Sequence, residues 1–85
     1  MKKTFPVMPH ENGIAACVRA TMIEYFKDLG DEKPHEIYPL VMACVEKPLI
    51  ETVLQYAGNN QTKAAEALGI NRNTLRKKMQ QYGIK

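Results

Sequence analysis

From Ile14 onward, residues suited to one packed face return every three or four positions: Ile14, Val18, Thr21 or Met22, Tyr25 and Leu29, with Cys17 and Phe26 beside them. That spacing lines one side of an α-helix, and Gly30 stands where a helix C-terminus favours glycine. The polar link GDEKPHE follows, with Pro34 marking a fresh start. A second, longer stripe then runs through Ile37, Leu40/Val41, Cys44/Val45, Pro48/Leu49, Val53 and Tyr56/Ala57, which predicts the main packing helix. Pro39 falls in its first turn and is tolerated there. Pro48 falls inside, where the missing N–H bends a helix at a cost of about 3 kcal/mol unless packing offsets it; two helices meeting near Pro48 are the alternative. Ahead of both stripes, MKKTFPVMPHENG has two prolines, one glycine and no period, and reads as an irregular arm over residues 1–13.

The last part of the chain changes character. Ala57 to Asn60 break the long helix, and Asn60 is placed to cap the next one. A short helix over Gln61 to Leu68 turns Ala64, Ala65 and Leu68 inward, and Gly69 lies where a tight turn needs positive φ. Ile70 fills the angle between two helices, Asn71 caps the second, and that helix runs from about Arg72 to Gln81 with Leu75 and Met79 inward, ending near Gly83. A small residue at 65, glycine four later and an apolar anchor six beyond that are the sequence form of a helix-turn-helix. Lys78 departs from the pattern, because an apolar residue is common at its position; Met79 beside it can supply the buried contact.

The fold class expected is therefore all-α, a four-helix chain with irregular arm 1–13, core helices 14–57 and helix-turn-helix 58–85. A chain of 85 residues forms one small domain with a marginal core. Only about 25 residues follow the long stripe, too few to cover it, so two copies pairing their first two helices across a twofold axis are expected to bury it. A monomer with the same helices folded inward is the alternative. With 45% apolar and 25% charged residues the composition is that of a folded protein. No apolar run approaches the roughly 20 residues that span a bilayer, and no signal core follows Lys2 and Lys3, which points to the cytoplasm and no membrane partner.

Candidate chemistry is sparse. Cys17 and Cys44 are isolated, lie on apolar helix faces and are expected to be buried small hydrophobes. Neither they nor His10 and His35 form a metal-ligand spacing, and no nucleophile-and-base pair stands out, so no metal, no cofactor and no catalysis are expected. Charge changes the picture more. Residues 1–45 carry five Lys/Arg against six Asp/Glu, net −1, whereas residues 46–85 carry seven against three, net +4. Arg72, Arg76, Lys77 and Lys78 fall within seven residues that hold no acid, a patch suited to a polyanion.

In a helix-turn-helix the second helix enters the major groove and the first crosses the backbone. Arg72, at the start of the second helix, suits a bidentate contact to guanine O6 and N7, and Asn71 and Asn73 reach an adjacent base or sugar. Thr74, Arg76, Lys77 and Lys78 suit phosphates. Asn60, Gln61 and Thr62 offer donors to a phosphate at the first helix N-terminus. For each the bland reading is a solvated polar side chain, with the weakest functional case at Lys78.

The run EKPLIETVLQYAGNNQTKAAEALGINRNTLRKKMQQYGI, and within it NQTKAA, LGINRNTLRKK and YGI, resembles the Fis family, the factor for inversion stimulation. The resemblance covers residues 46–84 most closely and continues more weakly back to about Ile14. The same C-terminal half also ends larger bacterial enhancer-binding activators. It implies an intertwined homodimer and a nucleoid-associated transcription regulator, with double-stranded DNA, a second copy of the chain and RNA polymerase as partners. It implies degenerate sites read with few base contacts. The paired recognition helices sit closer than the roughly 34 Å of a B-DNA turn, so the DNA bends and its deformability carries specificity. By matching positions, Asn71 and Arg72 are the base-proximal pair, and Asn60, Thr62, Thr74, Arg76 and Lys77 lie on the backbone. Only about a dozen residues precede the first helix, too few for the mobile arm that family members use to stimulate site-specific recombination. Gln80 and Gln81 replace lysines of a relative, which weakens contacts to flanking DNA. A protein-interaction module built on the same scaffold is the rival reading.

Overall fold

The structure, a computed structural model, describes residues 12–85, and the helices there are α1 (Gly13–Leu29), α2 (Ile37–Tyr56), α3 (Gln61–Leu68) and α4 (Arg72–Tyr82). The expected arm over 1–13 lies outside the described residues except for its last two. Those two begin α1 instead: Asn12 Oδ1 accepts from the Ala15 N–H at 2.8 Å, and this cap starts the helix at Gly13, one residue before the stripe. Among the described residues no strand occurs, and no helix is long and apolar enough to cross a membrane.

The chain divides into two compact units, Met1–Ile37 and Tyr38–Lys85. In the first, α1 closes at Gly30, with φ 63°, and buries none of its residues. Val18, Met22, Tyr25 and Leu29 of its stripe are half-buried, whereas Ile14 and Phe26 are exposed. Tyr25 and Phe26 meet edge to face at 5.4 Å between ring centroids. Cys17 is exposed, and so is Cys44 in α2, contrary to the expected burial. Both sit on apolar helix faces, but nothing within the single chain covers those positions.

The second unit holds the core. Ile50, Leu54 and Ala57 from the end of α2 pack with Ala64 and Ala65 of α3 and with Leu75 and Met79 of α4; Val53, Leu68, Ile70, Tyr82 and Ile84 close around them. α2 is one helix that continues through Pro48. The predicted stripe holds at Val53 and Ala57 but not at Leu49 and Tyr56, which are exposed, and it missed Ile50 and Leu54. The reason is that α2 is apolar on more than one side. Periodicity alone then does not say which side α3 and α4 will cover.

Ala64 and Leu75 are each 0% exposed, which explains the small residues of α3: a larger side chain would hold α4 away. The turn between them closes by two backbone bonds, Gly69 N–H to the Glu66 carbonyl at 3.1 Å and Ile70 N–H to the Ala65 carbonyl at 3.0 Å. That pairing needs a left-handed residue at 69, where φ is 76° and ψ 28°, and it folds Ile70 back onto the core as expected. α4 ends by the same arrangement, with Ile84 N–H on the Met79 carbonyl at 2.8 Å.

Candidate nucleic-acid interface

The two capping asparagines fix where the polar face begins. Asn60 Oδ1 accepts from Lys63 N–H at 3.1 Å and Asn71 Oδ1 from Asn73 N–H at 2.7 Å, so α3 and α4 each start where the sequence places them. Capping occupies the amide oxygen of each side chain. Their Nδ2 groups, which can only donate, are what remains to meet an acceptor such as a phosphate or a base edge.

Successive residues on α4 turn by about 100°. With Leu75 and Met79 inward, Lys77 lies opposite the buried stripe, while Arg72 and Arg76 flank it on one side and Lys78 on the other. The contacts agree with this division. On the α3 side, Arg72 Nη1 donates to Thr62 Oγ1 at 3.4 Å, and Arg76 lines a shallow depression together with Gln61 and Gln80. Asn73, Thr74 and Lys77 are exposed along the outer face. Of the ten candidate residues, Asn60, Thr62, Asn71, Arg72, Asn73, Thr74, Arg76 and Lys77 are exposed, and only Gln61 and Lys78 are half-buried. The structure thus brings the first turn of α3 and the first two turns of α4 onto one polar surface. Among the described residues no carboxylate pairs with Arg72, Arg76 or Lys77.

Lys78 is placed differently. Its ammonium lies 3.0 Å from one carboxylate oxygen of Glu46 on α2 and donates to the other at 3.1 Å, and Tyr82 Oη donates to Glu46 as well, at 2.5 Å. The two side chains are 31% and 18% exposed, enough burial that the pair is not a solvated surface contact. The phenol and the ammonium together hold the Glu46 carboxyl below its ordinary range, and the carboxylate in turn pushes the Tyr82 hydroxyl up. Neither Glu46 nor Tyr82 stood out from the sequence. A signal was nevertheless present, since a lysine at a normally apolar helix position calls for a partner, and residues 46–85 contain only three acids.

Lys63, on the outer side of α3, sits 5.9 Å from the centroid of the exposed Tyr56 ring. Among the described residues no group of three His, Cys, Asp or Glu is arranged to hold a metal ion.

Comparison with known proteins gives this geometry a context. Residues 42–82 match the family described as bacterial regulatory protein, Fis family. A Fis-like DNA-binding protein of Ralstonia nicotianae is 51% identical over 73 residues, which is 86% of this chain and 95% of the relative. One from Neisseria meningitidis serogroup B is 47% identical over 78 residues, 91% of this chain and 99% of the relative. The DNA-binding protein Fis of Vibrio cholerae (El Tor Inaba N16961) is 48% identical over 67 residues, 79% of this chain and 68% of the relative.

Proposed function

The chain belongs to the Fis family of bacterial DNA-binding regulatory proteins, and from that premise we propose that it acts as a homodimer that binds and bends double-stranded DNA. In this reading it regulates transcription on the bacterial nucleoid, in the cytoplasm, and reads degenerate sites mainly through DNA shape. The observation that carries it is the continuous polar face of α3 and α4, with three cationic side chains that no carboxylate in the described chain neutralises.

On that face Arg72 and Asn71 are the base-proximal pair, with Asn73 beside them. Thr74, Arg76 and Lys77 take phosphates from α4, and Asn60, Gln61 and Thr62 take one at the start of α3. A single guanine contact per half-site gives about 1–3 kcal/mol of discrimination. The remaining preference has to come from how readily a sequence deforms. The bonded distance between Arg72 and Thr62 supports a shared surface for base and backbone contacts.

Dimerisation is supported by the apolar surface that one chain leaves wet. Ile14 is 70% exposed, Tyr38 75% and Leu40 51%, and α1 buries nothing over its 17 residues. The exposed Cys17 and Cys44 belong to the same faces. The division proposed is a dimer core over 14–57 and a DNA-binding region over 58–85, with the end of α2 serving both. RNA polymerase as a further partner rests on the family resemblance alone. The Gln80 and Gln81 positions reduce the charge offered to flanking DNA.

Two measurements test this. Gel shifts with straight and pre-bent duplexes across a salt series should show tighter binding to the bent probe and a logarithmic affinity falling linearly with log salt. Binding that is undetectable even near 50 mM salt would leave the protein-interaction reading instead. Equilibrium sedimentation should return twice the 9.6 kDa chain mass at micromolar concentration.

A further inference from the structure

We propose that Glu46, Lys78 and Tyr82 form a positioning lock that sets how α4 presents its polar face, and that Lys78 therefore does not contact phosphate. The proposal rests on the DNA-binding reading above and assigns a different task to one cation of its basic patch.

Leu75 and Met79 hold α4 against the core, but apolar contact is non-directional and tolerates sliding and rotation. Lys78 and Tyr82 supply what it lacks. They lie one turn apart on α4, and both donate to a single carboxylate on α2, 32 and 36 residues away in sequence. Two donors from successive turns that converge on one acceptor fix the helix both along its axis and about it. The acceptor is held in the groove that Tyr38, Pro39 and Met42 of α2 form with Gln81 and Tyr82 of α4. A lysine suits this place because its four-carbon stem can lie along apolar surface while its head reaches the carboxylate. Arg72, Asn73, Arg76 and Lys77 are displaced from Lys78 by fixed turns of the same helix. A rotation of α4 would move all of them together.

The lock makes predictions opposite to those of simple electrostatics. Glu46→Gln removes a negative charge beside the DNA-binding face and frees Lys78, so charge alone would tighten binding and steepen its salt dependence. The lock predicts weaker binding, about three- to tenfold, with the slope unchanged. In the full chain, affinity for one duplex would be measured across a salt series for the unaltered protein, Lys77→Gln, Lys78→Gln, Glu46→Gln and Tyr82→Phe. Lys77→Gln should lower the magnitude of the slope by about 0.9, the value for one phosphate contact, and Lys78→Gln should leave it unchanged while weakening binding equally at every salt.

The charge-swapped pair Glu46→Lys with Lys78→Glu should restore affinity to within about twofold. A phosphate contact could not survive a glutamate at position 78. Circular dichroism on each variant guards against simple unfolding, and Tyr82→Phe keeps the apolar contact while removing one donor. A Lys78→Gln slope that falls as far as the Lys77→Gln slope, or a swapped pair that binds worse than either single variant, overturns the lock and leaves the DNA-binding reading intact. An unaltered chain that binds no duplex overturns both.

Discussion

At the scale of single residues, chemistry and geometry separate cations that charge counting treats alike. Arg72 sits at the first position of α4, bonded to Thr62 across the turn, and its planar fork suits a guanine edge. Arg72→Lys keeps the charge and loses the fork. The expected outcome is a salt slope within about 0.2 of the unaltered protein, since one cation still meets the backbone. Preference for a selected site over random duplex should drop by roughly 5- to 150-fold, the equivalent of one bidentate base contact. Competition gel shifts measure both, and an unchanged preference would remove Arg72 from base reading. Arg72 was legible in the sequence because its place follows from the cap at Asn71. Lys78 was not, because its role depends on Glu46, and no local pattern says that residues 32 apart will meet.

At the scale of elements, the turn chemistry was the most legible feature. Gly69 was expected to have positive φ and has 76°, and the bounds of α3 fall where capping placed them. A Cβ built on Gly69 meets nothing within 4 Å, so Gly69→Ala isolates the backbone cost from any clash. That cost should be about 1–2 kcal/mol, the usual penalty for an L-residue in left-handed backbone, and denaturant unfolding would read it as a lower midpoint with an unchanged slope. What the sequence left open was the face of α2. Ile50 and Leu54 are buried while Leu49 and Tyr56 are not, and an apolar residue on each side of a helix gives no hint which neighbour arrives. The tie between α2 and α4 has its own pH signature. Glu46 is held below its ordinary range when folded, so its contribution is fully present above the unfolded carboxylate value and fades as pH falls through the folded one. Tyr82 is raised, so its contribution holds below the ordinary phenol value and fades as pH rises past it. Acid and alkaline melting should therefore both cost the unaltered protein more than Glu46→Gln, whose stability relative to it should improve at either extreme. A Glu46→Gln difference that stays constant with pH would mean the carboxylate is not engaged in solution.

At the scale of the whole molecule, one chain is an unfinished object. Its core lies entirely between the end of α2 and the C-terminal helices, whereas α1 and the first turns of α2 leave Ile14, Phe26, Tyr38 and Leu40 exposed. A helix of 17 residues with no buried position has little to hold it in water, since helical stability in proteins comes mostly from packing an apolar face. Pairing two copies supplies that packing, and assembly then becomes part of folding rather than a step after it. Linkage gives this a measurable form. Where the folded state is a dimer and the unfolded state a monomer, each tenfold rise in protein concentration adds about 1.4 kcal/mol of stability per mole of dimer near room temperature, so the melting temperature must climb with concentration. Thermal unfolding followed by circular dichroism over a hundredfold concentration range should show that climb, with the helical signal of α1 and α2 lost in the same transition as that of α3 and α4. Replacing Leu40, 51% exposed in the single chain, by Asp should lower the melting temperature and increase the fraction of monomer. A melting temperature that does not move with concentration, together with a Leu40→Asp variant as stable as the parent, would mean that the apolar faces stay wet and that each chain folds alone.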